Sequence, residues 1–331
     1  MSTAQAKRSA KVVALCGGVG GAKLALGLSH VVAPHALTLI VNTGDDFEHL
    51  GLHISPDIDT VLYTLAGLND RERGWGRADE TWNFMAALRE LGSETWFQLG
   101  DRDLAVHVER TRRLRDGQSL TAATAELAIR LRISVCILPM SDAPVQTIVE
   151  TDEGALTFQR YFVERRCEPV VRAVHFERAD DAPPAAGVLE AINDPDLSAI
   201  IICPSNPYLS IDPILAVKDI RRALEGAPAP IVAVSPIIGG QAVKGPAAKI
   251  MRERGIEQDT RAIAAHYAGI IDGLVIDKND RDDASTLALP VLVTQTMMHT
   301  LSDRTRLAQE TLDFATTLKQ RARAPRESAT L

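Results

Sequence analysis

Unbroken apolar segments, separated by glycine-rich or polar turns, run along most of this 331-residue chain. Lys11–Cys16 and Leu37–Val41 contain β-branched residues without hydrophobic–polar alternation, which is typical of strands buried on both faces of a parallel sheet. Further segments of this kind, with helical spacing between them, lie at residues 133–140, 199–203, 230–234, 273–276 and 290–294. We therefore predict an α/β fold with a doubly wound, mostly parallel, Rossmann-like sheet.

Two departures from this pattern are predicted. Residues 61–132 are poor in valine and isoleucine, and residues 81–91 and 120–131 have helical spacing, so this region is predicted to be a mainly helical insertion. The core then comprises residues 1–60 and 133–331.

The basic segment 110–115 is expected on a solvated helix face. Residues 146–150 and 156–161 are predicted to form an antiparallel pair, and residues 297–319 a final helix followed by a frayed end.

A glycine-rich turn follows the first predicted strand and opens a helix. It runs from Gly17 to Lys23, and Gly18 and Gly20 would let the backbone approach a phosphate whose charge the helix N-terminus attracts. Lys23 would add a positive charge. Leu24 stands where a Walker A motif has Ser or Thr, and the G-x-G-x-x-G pattern is broken, so the motif indicates phosphate binding without naming the ligand. The alternative is that these glycines serve only a tight turn and close helix packing.

Four carboxylates follow the second predicted strand within a short distance. Asp45 and Asp46 follow the segment Asn42-Thr43-Gly44, and Asp57 and Asp59 follow at the next predicted helix start. Crowded carboxylates repel one another unless a cation neutralises them, and Mg²⁺ is usually held by one or two carboxylates together with substrate phosphates. The pattern therefore favours a magnesium site. The alternative is a solvated acidic loop in which Asp57 or Asp59 caps the helix.

Polar or turn-forming segments also follow the strands of the second half. Ser205 and Asn206 offer a hydroxyl and an amide, and Gly239-Gly240 with Lys244 would form a second anion-binding turn. The carboxyl ends of parallel strands build the pocket of a doubly wound sheet, so these segments are expected to meet the glycine-rich turn. A purely turn-forming role is the alternative for each of them.

Composition and charge exclude several classes of function. The net charge is −7 and aromatic residues make up only 4% of the chain, and no basic stripe interleaved with aromatics is visible, so a nucleic-acid groove is not expected. The acidic balance also disfavours anionic membrane surfaces, and no run of 18 apolar residues occurs. The cysteines lack C-x-x-C spacing and are expected to be reduced. We predict a cytoplasmic protein.

The residues resemble those of one family over nearly the whole chain, that of the 2-phospho-L-lactate transferases (CofD and FbiA type) of coenzyme F-420 biosynthesis. The glycine-rich turn and the carboxylate segments carry much of the resemblance. The matching segments are Gly17-Gly18-Val19-Gly20, Asn42-Thr43-Gly44-Asp45-Asp46, Ser55 to Leu65, Leu99-Gly100-Asp101-Arg102-Asp103, Leu138 to Asp142, Pro204-Ser205-Asn206-Pro207 and Ser235-Pro236-Ile237-Ile238-Gly239. Gly74-Trp75-Gly76 is closer to the bacterial members.

The resemblance implies a transfer reaction and its participants. A three-carbon acid linked to guanosine diphosphate (2-phospho-L-lactate, phosphoenolpyruvate or 3-phosphoglycerate) would react with the ribityl hydroxyl of the deazaflavin FO, releasing GMP. Mg²⁺ would be the cofactor, and a homodimer is expected. Asp45, Asp57 and Asp59 would bind the metal or the FO hydroxyl, and Asp59 would accept the hydroxyl proton or only orient the hydroxyl group.

The resemblance also implies a set of substrate-binding residues, in a pocket to which the helical insertion contributes. Arg102 would clamp a donor carboxylate or phosphate, unless Asp101 and Arg102 form an internal salt bridge. Trp75 and Trp82 would either wall the flat deazaflavin ring or pack in the insertion. The substrate-binding set is Gly18, Gly20, Lys23, Asn42, Thr43, Asp46, Asp101, Arg102, Ser205, Asn206, Ser235, Ile238 and Gly239.

Two other classes of function remain open at this point. A non-catalytic nucleotide-sugar-binding regulator is one, because a family of bacterial gluconeogenesis or morphogenesis factors is similar in its glycine loop and S-P-x-I turn. The segment Asp57–Tyr63 favours the enzyme. A dinucleotide-dependent oxidoreductase is the other. It is disfavoured because the G-x-G-x-x-G pattern is broken, and because two adjacent acids, Asp45 and Asp46, stand where a dinucleotide site needs one acid to bind the ribose.

Overall fold

The computed structural model describes residues 7–242 and 246–323. The predicted anion-binding turn at Lys244 and most of the predicted frayed end lie outside these residues. In chain order the strands are β1 (Lys11–Cys16), β2 (Leu37–Val41), β3 (Phe47–His49), β4 (Leu52–Ile54), β5 (Cys136–Pro139), β6 (Gln146–Thr151), β7 (Gly154–Thr157), β8 (Val171–Glu177), β9 (Leu197–Ile202), β10 (Ile231–Val234), β11 (Ile237–Ile238), β12 (Gln241–Ala242), β13 (Gly273–Asp277) and β14 (Val291–Thr294). The helices are α1 (Gly18–Val31), α2 (Pro56–Leu65), α3 (Asn83–Glu90), α4 (Asp101–Arg115), α5 (Leu120–Arg130), α6 (Val188–Ile192), α7 (Asp212–Ala216), α8 (Lys218–Glu225), α9 (Ala247–Glu253), α10 (Thr260–His266) and α11 (Leu301–Arg323).

A seven-stranded sheet in the order β14-β13-β10-β9-β1-β2-β5 forms the centre of the molecule. Every neighbouring pair in it is parallel. Each of its strands corresponds to an apolar segment of the sequence pattern, and β1 and β2 have the predicted bounds. The α/β, doubly wound fold predicted from the sequence is confirmed.

Apolar residues cover both faces of this sheet. Val13, Leu15 and Ile200 belong to the cluster on one face, and Val12 and Ala14 belong to the cluster on the other. Because successive side chains of a strand point to opposite faces, a strand buried on both sides needs an unbroken apolar run. This requirement explains why the pattern located the sheet so closely.

The strand order reverses between β1 and β9. The chain moves from β1 through β2 to β5 on one side of the sheet and then returns to build β9, β10, β13 and β14 on the other. Crossovers that diverge from neighbouring strands leave a crevice at their carboxyl ends, which is where ligands of doubly wound sheets bind. The glycine-rich turn after β1 and the segment Pro204–Asn206 after β9 flank this crevice.

Smaller sheets lie beside the main one. Strands β6 and β7 form the antiparallel pair expected from the sequence, and β8 adds a third strand that the sequence analysis missed. Most of its side chains are exposed or half-buried, so its apolar signal is weak. Residues 158–161, predicted as strand, instead begin a helical turn at Arg160–Glu164.

Helices α3, α4 and α5 dominate the region predicted to be a helical insertion. The expectation that its basic segment lies on a solvated face is wrong at Arg110 and Thr111, which are both buried. The Arg110 side chain is completely buried, whereas that of Arg112 on the same helix is 55% exposed. In the described part of the chain, no helix is both long enough and apolar enough to cross a membrane.

Candidate active site

A cavity of about 550 Å³ opens at the carboxyl ends of the central strands. It is bounded by the starts of α1 and α2, by the segments that follow β9 and β10, and by residues of α4 and of the loop before α3. The predicted site residues that line it are Gly18, Gly20, Lys23, Asp45, Asp57, Asp59, Ser205, Asn206, Ser235 and Ile238. The predicted residues that do not line it are Asn42, Thr43, Asp46, Asp101, Arg102 and Gly239.

The glycine-rich turn packs so tightly against its neighbours that side chains are excluded. A Cβ atom on Gly20 would lie 2.1 Å from the Pro204 carbonyl oxygen, and one on Gly17 would lie 2.5 Å from the Asp57 carboxylate. Gly18 has a φ of +60°, a conformation that costs glycine little. The turn therefore joins the β1 and β9 ends closely and presents bare backbone to the cavity.

Asp57 binds the start of α1 from the neighbouring helix. Its Oδ1 accepts a hydrogen bond of 2.7 Å from the Gly18 N–H, and its Oδ2 accepts one of 2.9 Å from the Asn42 side chain. Burial raises the pKa of Asp57 to about 6, an effect that these two hydrogen bonds oppose and the nearby charge of Asp46 adds to. The predicted Asn42 therefore acts behind the cavity wall by holding Asp57.

Asp45 is a cavity-lining carboxylate with a buried oxygen that lacks a hydrogen-bond partner among the described residues. It is only 6% exposed, and its Oδ1 is buried without a hydrogen-bond partner in the described part of the chain. Burial raises its pKa well above the usual range, and the charges of Asp57 and then Asp46 raise it further. A buried anion of this kind requires either a proton or a cation.

The predicted role of Asp59 as a metal ligand or proton acceptor stays a prediction, and its surroundings differ from those of Asp45 and Asp57. Each of its carboxylate oxygens accepts a hydrogen bond from the buried Arg110 guanidinium. The charge of Asp59 is thus neutralised within the protein. Consistently, no group of three or more His, Cys, Asp or Glu side chains among residues 7–242 and 246–323 is arranged to hold a metal ion.

Asp46 and Thr43 lie behind the cavity. Asp46 Oδ2 accepts a hydrogen bond of 2.7 Å from the Ser55 hydroxyl and lies 3.1 Å from His53 Nε2. Burial raises its pKa, and the contact with His53 opposes that rise. Thr43 is buried, and its hydroxyl has no hydrogen-bond partner among the described residues. Neither residue lines the cavity, and their predicted contacts with substrate stay predictions.

Asp101 and Arg102 do not line the cavity, and their predicted contact with substrate stays a prediction. Asp101 caps α3 by accepting hydrogen bonds from the N–H groups of Asn83 and Phe84, and the hydrogen bond from Thr81 is the main reason its pKa falls to about 2. Arg102 is exposed, and its backbone N–H donates to Glu80. Both residues thus make contacts that hold the insertion together.

The sequence analysis missed the polar cluster on the insertion side of the cavity. Asp103 Oδ1 accepts a hydrogen bond of 2.5 Å from the Tyr63 hydroxyl and lies 3.3 Å from His107 Nε2. All three side chains line the cavity, and each is less than 10% exposed. The available signal was the i, i+4 spacing of Asp103 and His107, which places them on one helix face.

An aromatic wall covers the outer part of the same cavity. Trp75, which is 46% exposed, lines it together with Phe97, Phe158 and Phe162. The rings of Phe158 and Phe162 are stacked, with centroids 5.2 Å apart. Trp82 is not part of the lining and packs 4.9 Å from the Arg73 guanidinium. The cavity thus has a polar inner end and a flat apolar outer end.

The segments after β9 and β10 supply polar groups at the inner end. The Ser205 hydroxyl accepts a hydrogen bond of 3.3 Å from the Gly17 N–H, and Asn206 caps the turn that follows. Lys23 lines the cavity and donates to the Met298 carbonyl oxygen. Gly239 lies just outside, where Asp280 accepts a hydrogen bond from its N–H.

The chain matches one known protein family over most of its length. A sequence model of the family described as 2-phospho-L-lactate transferase CofD matches residues 12–314. The chain is 44% identical over 313 residues to a phosphoenolpyruvate transferase of Kitasatospora aureofaciens, a match that covers 90% of this chain and 97% of the relative. It is 42% identical over 272 residues to a 2-phospho-L-lactate transferase of Methanosarcina mazei, covering 82% and 88% respectively.

Solved structures extend the comparison to the fold alone. A UPF0052 family protein from Bacillus halodurans superimposes with a TM-score of 0.62 at 16% sequence identity, and the match covers 92% of this chain and all of that protein. At this level of identity the similarity establishes the common architecture and carries no information about the ligand.

Proposed function

This chain belongs to the 2-phospho-L-lactate transferase CofD family, and on that premise we propose that it transfers a phospho-three-carbon-acid group from a guanosine diphosphate-linked donor to the ribityl hydroxyl of FO. The hydroxyl oxygen would attack the phosphorus that carries the acid. A new P–O bond forms, the bond between that phosphorus and the bridging oxygen breaks, and GMP leaves with the electron pair. The product is a phosphodiester of coenzyme F-420 biosynthesis.

The observation that carries this proposal is the meeting of three features in one cavity. The bare backbone of Gly18 and Gly20 lies beside the buried carboxylates Asp45 and Asp57, and an aromatic wall lies at the outer end. A phosphate-containing donor fits the first two features because helix starts and cations both neutralise phosphate charge. A flat tricyclic acceptor fits the third feature.

The carboxylates suit Mg²⁺. Asp45 and Asp57 are the residues that would hold it, since Asp45 has a buried oxygen without a hydrogen-bond partner in the described chain and both groups have raised pKa values. Proteins usually bind this ion through one or two carboxylates, and substrate phosphates complete its coordination. When bound, Mg²⁺ supplies positive charge against the charge that develops on the departing phosphate.

The remaining polar groups of the inner end would orient the donor. The Gly18–Gly20 backbone and Lys23 lie beside the diphosphate, and Ser205, Asn206, Ser235 and Ile238 lie along the guanosine side of our proposed arrangement. Holding the donor between these groups aligns its phosphorus with the acceptor hydroxyl, and alignment alone supplies a large part of the rate of such reactions.

The acid on the donor is one of 2-phospho-L-lactate, phosphoenolpyruvate and 3-phosphoglycerate. These acids differ by a few atoms, and relatives at similar identity carry the names of two different transferases. The homodimer and the cytoplasmic location expected from the sequence stay predictions.

Product stoichiometry tests the proposal. The protein is incubated with FO and one donor, and GMP and the FO phosphodiester are separated by chromatography. We expect GMP and phosphodiester in equal amounts, and neither when FO or donor is omitted. Binding of nucleotide sugars without any consumption of FO would instead support the non-catalytic regulator.

A further inference from the structure

Four carboxylates line the cavity within the described part of the chain, and three of them have partners or electrostatic environments that leave them unsuited to binding a neutral hydroxyl group. Both oxygens of Asp59 are held by Arg110. Asp57 is held by Gly18 and Asn42. Asp45 faces the charge of Asp57, and its burial favours a cation or a proton. The fourth carboxylate is Asp103.

Asp103 is fixed in position on its helix side. The Glu80 carboxylate accepts hydrogen bonds from the backbone N–H groups of Arg102 and Asp103, which caps the start of α4. The Tyr63 hydroxyl donates to Asp103 Oδ1 over 2.5 Å. Oδ2 has no hydrogen-bond partner among the residues the structure describes, although Asp103 lines the cavity.

His107 contributes a second contact on the same oxygen. The Arg110 Nη1 atom lies 3.3 Å from His107 Nδ1, and because a guanidinium only donates hydrogen bonds, Nδ1 is the acceptor. The ring proton then lies on Nε2, which is 3.3 Å from Asp103 Oδ1. Tyr63 and His107 thus both face Oδ1 and leave Oδ2 for a ligand.

Asp103 also keeps its charge without a cation. Burial alone would raise its pKa, but the contacts with His107, the Tyr63 hydroxyl and the positive charge of Arg110 together lower it. It is therefore an ionised acceptor at neutral pH, in contrast to Asp45 and Asp57, whose pKa values are raised. The cavity carries two kinds of carboxylate, one suited to a cation and one suited to a hydroxyl group.

We propose that Oδ2 of Asp103 binds the reacting hydroxyl group of the acceptor and accepts its proton, with Tyr63 and His107 as positioning residues. This inference rests on the proposed function. As the hydroxyl oxygen forms its bond to phosphorus, its O–H bond breaks and the proton moves to Oδ2. GMP leaves with the electron pair of the broken P–O bond, and water later takes the proton from Asp103.

The test is the pair of variants Asp103→Asn and Glu109→Gln, assayed with FO and donor. Asn retains an oxygen that accepts from Tyr63 but replaces Oδ2 with an amide donor. We expect kcat to fall about 100-fold or more, the range of a lost general base, while the donor Kd measured by calorimetry stays within about twofold, as for a loss confined to the transition state. Glu109, on the same helix outside the cavity, makes the same acid-to-amide change without loss of kcat.

Each outcome bears on the inference. If the Asn variant turns over like the wild type, Asp103 is not the acceptor, although the transferase function stands. If wild-type protein makes no phosphodiester, both the proposed function and this inference are wrong. If the Asn variant unfolds, Asp103→Glu replaces it, because this change keeps the charge but displaces the carboxylate, and an unchanged kcat in that variant overturns the inference.

Discussion

Arg110 and Asp59 form a buried ion pair at the floor of the cavity, with the Arg110 side chain fully buried and that of Asp59 only 7% exposed. The guanidinium reaches both carboxylate oxygens. A bidentate pair of this kind balances both charges inside the protein, so Asp59 needs neither a proton nor a cation.

Breaking this pair is expected to destabilise the fold. Arg110→Met leaves the Asp59 charge buried and alone, and we expect the free energy of unfolding to fall by about 3–5 kcal/mol. Arg112→Met, on the same helix but exposed, is expected to cost less than about 1 kcal/mol, as surface pairs do. Urea unfolding measures both. Equal stability of the two variants would show that Arg110 is not paired as the structure has it.

Protonation of Asp57 and binding of Mg²⁺ to its carboxylate are expected to compete, which gives a second prediction. The folded-state pKa of about 6 lies above the ordinary value of 3.8, so this group contributes stability that is present at low pH and lost as pH rises through about 6. We expect the melting temperature of wild-type protein, relative to Asp57→Asn, to decrease between pH 4 and pH 7. Mg²⁺ should raise the wild-type value more at pH 7.5 than at pH 5.

The Asn variant should show little response to Mg²⁺ at either pH. The matched control is Asp116→Asn, which changes an exposed carboxylate at the end of α4 and should keep the wild-type response. A Mg²⁺ response that persists in both the Asp57→Asn and the Asp45→Asn variants would show that these two residues do not bind Mg²⁺.

The sequence predicted the sheet far better than the site. An unbroken apolar run suffices to locate a strand that is covered on both faces, and all seven central strands were found in this way. The basic segment 110–115 shows the limit of such patterns. Nothing in the local sequence distinguishes buried Arg110 from exposed Arg112, because the carboxylate that pairs with Arg110 lies 51 residues earlier in the chain.

The same limit applies to the motif Leu99 to Asp103. The resemblance directed attention to Asp101 and Arg102, whereas Asp103 is the residue of this motif that lines the cavity. Which residue of a conspicuous motif meets the ligand depends on the helix start, and that start is fixed by Glu80 from another segment. Long-range partners of this kind are not visible in sequence spacing.

Asp101 is accordingly expected to affect stability and not catalysis. Asp101→Asn removes the charge from the cap of α3, so we expect a lower melting temperature with unchanged kcat and KM. Because the pKa of Asp101 is depressed to about 2, its contribution is present above the ordinary value of 3.8 and is lost as pH falls through about 2. The stability difference between wild type and variant should therefore vanish in acid. A raised donor KM would return Asp101 to the substrate site.

The tight approach of the glycine-rich turn to the β9 end gives a further prediction. Gly20→Ala would place a methyl group 2.1 Å from the Pro204 carbonyl oxygen, so we expect a loss of stability. Overpacking of this kind costs about 1–3 kcal/mol, and donor affinity should fall with it. Gly226→Ala is the control, because its Cβ meets only an ordinary contact at 3.6 Å. Unchanged donor affinity in the Gly20 variant would show that the glycine-rich turn does not bind the donor.

The outer wall is tested by a pair of tryptophans. Trp75 lines the cavity, whereas Trp96 packs against Phe47 and His49 and does not line it. Trp75→Ala should raise the KM for FO about 2- to 10-fold, the loss of one aromatic contact, and leave the donor KM unchanged. Trp96→Ala should lower stability without that change. Equal KM values for FO in wild type and the Trp75 variant would show that the deazaflavin ring does not contact Trp75.

Mass spectrometry of a reaction containing Mg²⁺, FO and the three guanylylated acids in competition tests the transferase function most directly. The account predicts one dominant FO phosphodiester, whose mass identifies the acid, and its disappearance when a chelator is added. Folded protein that forms no FO phosphodiester from any of the three active donors would contradict the account.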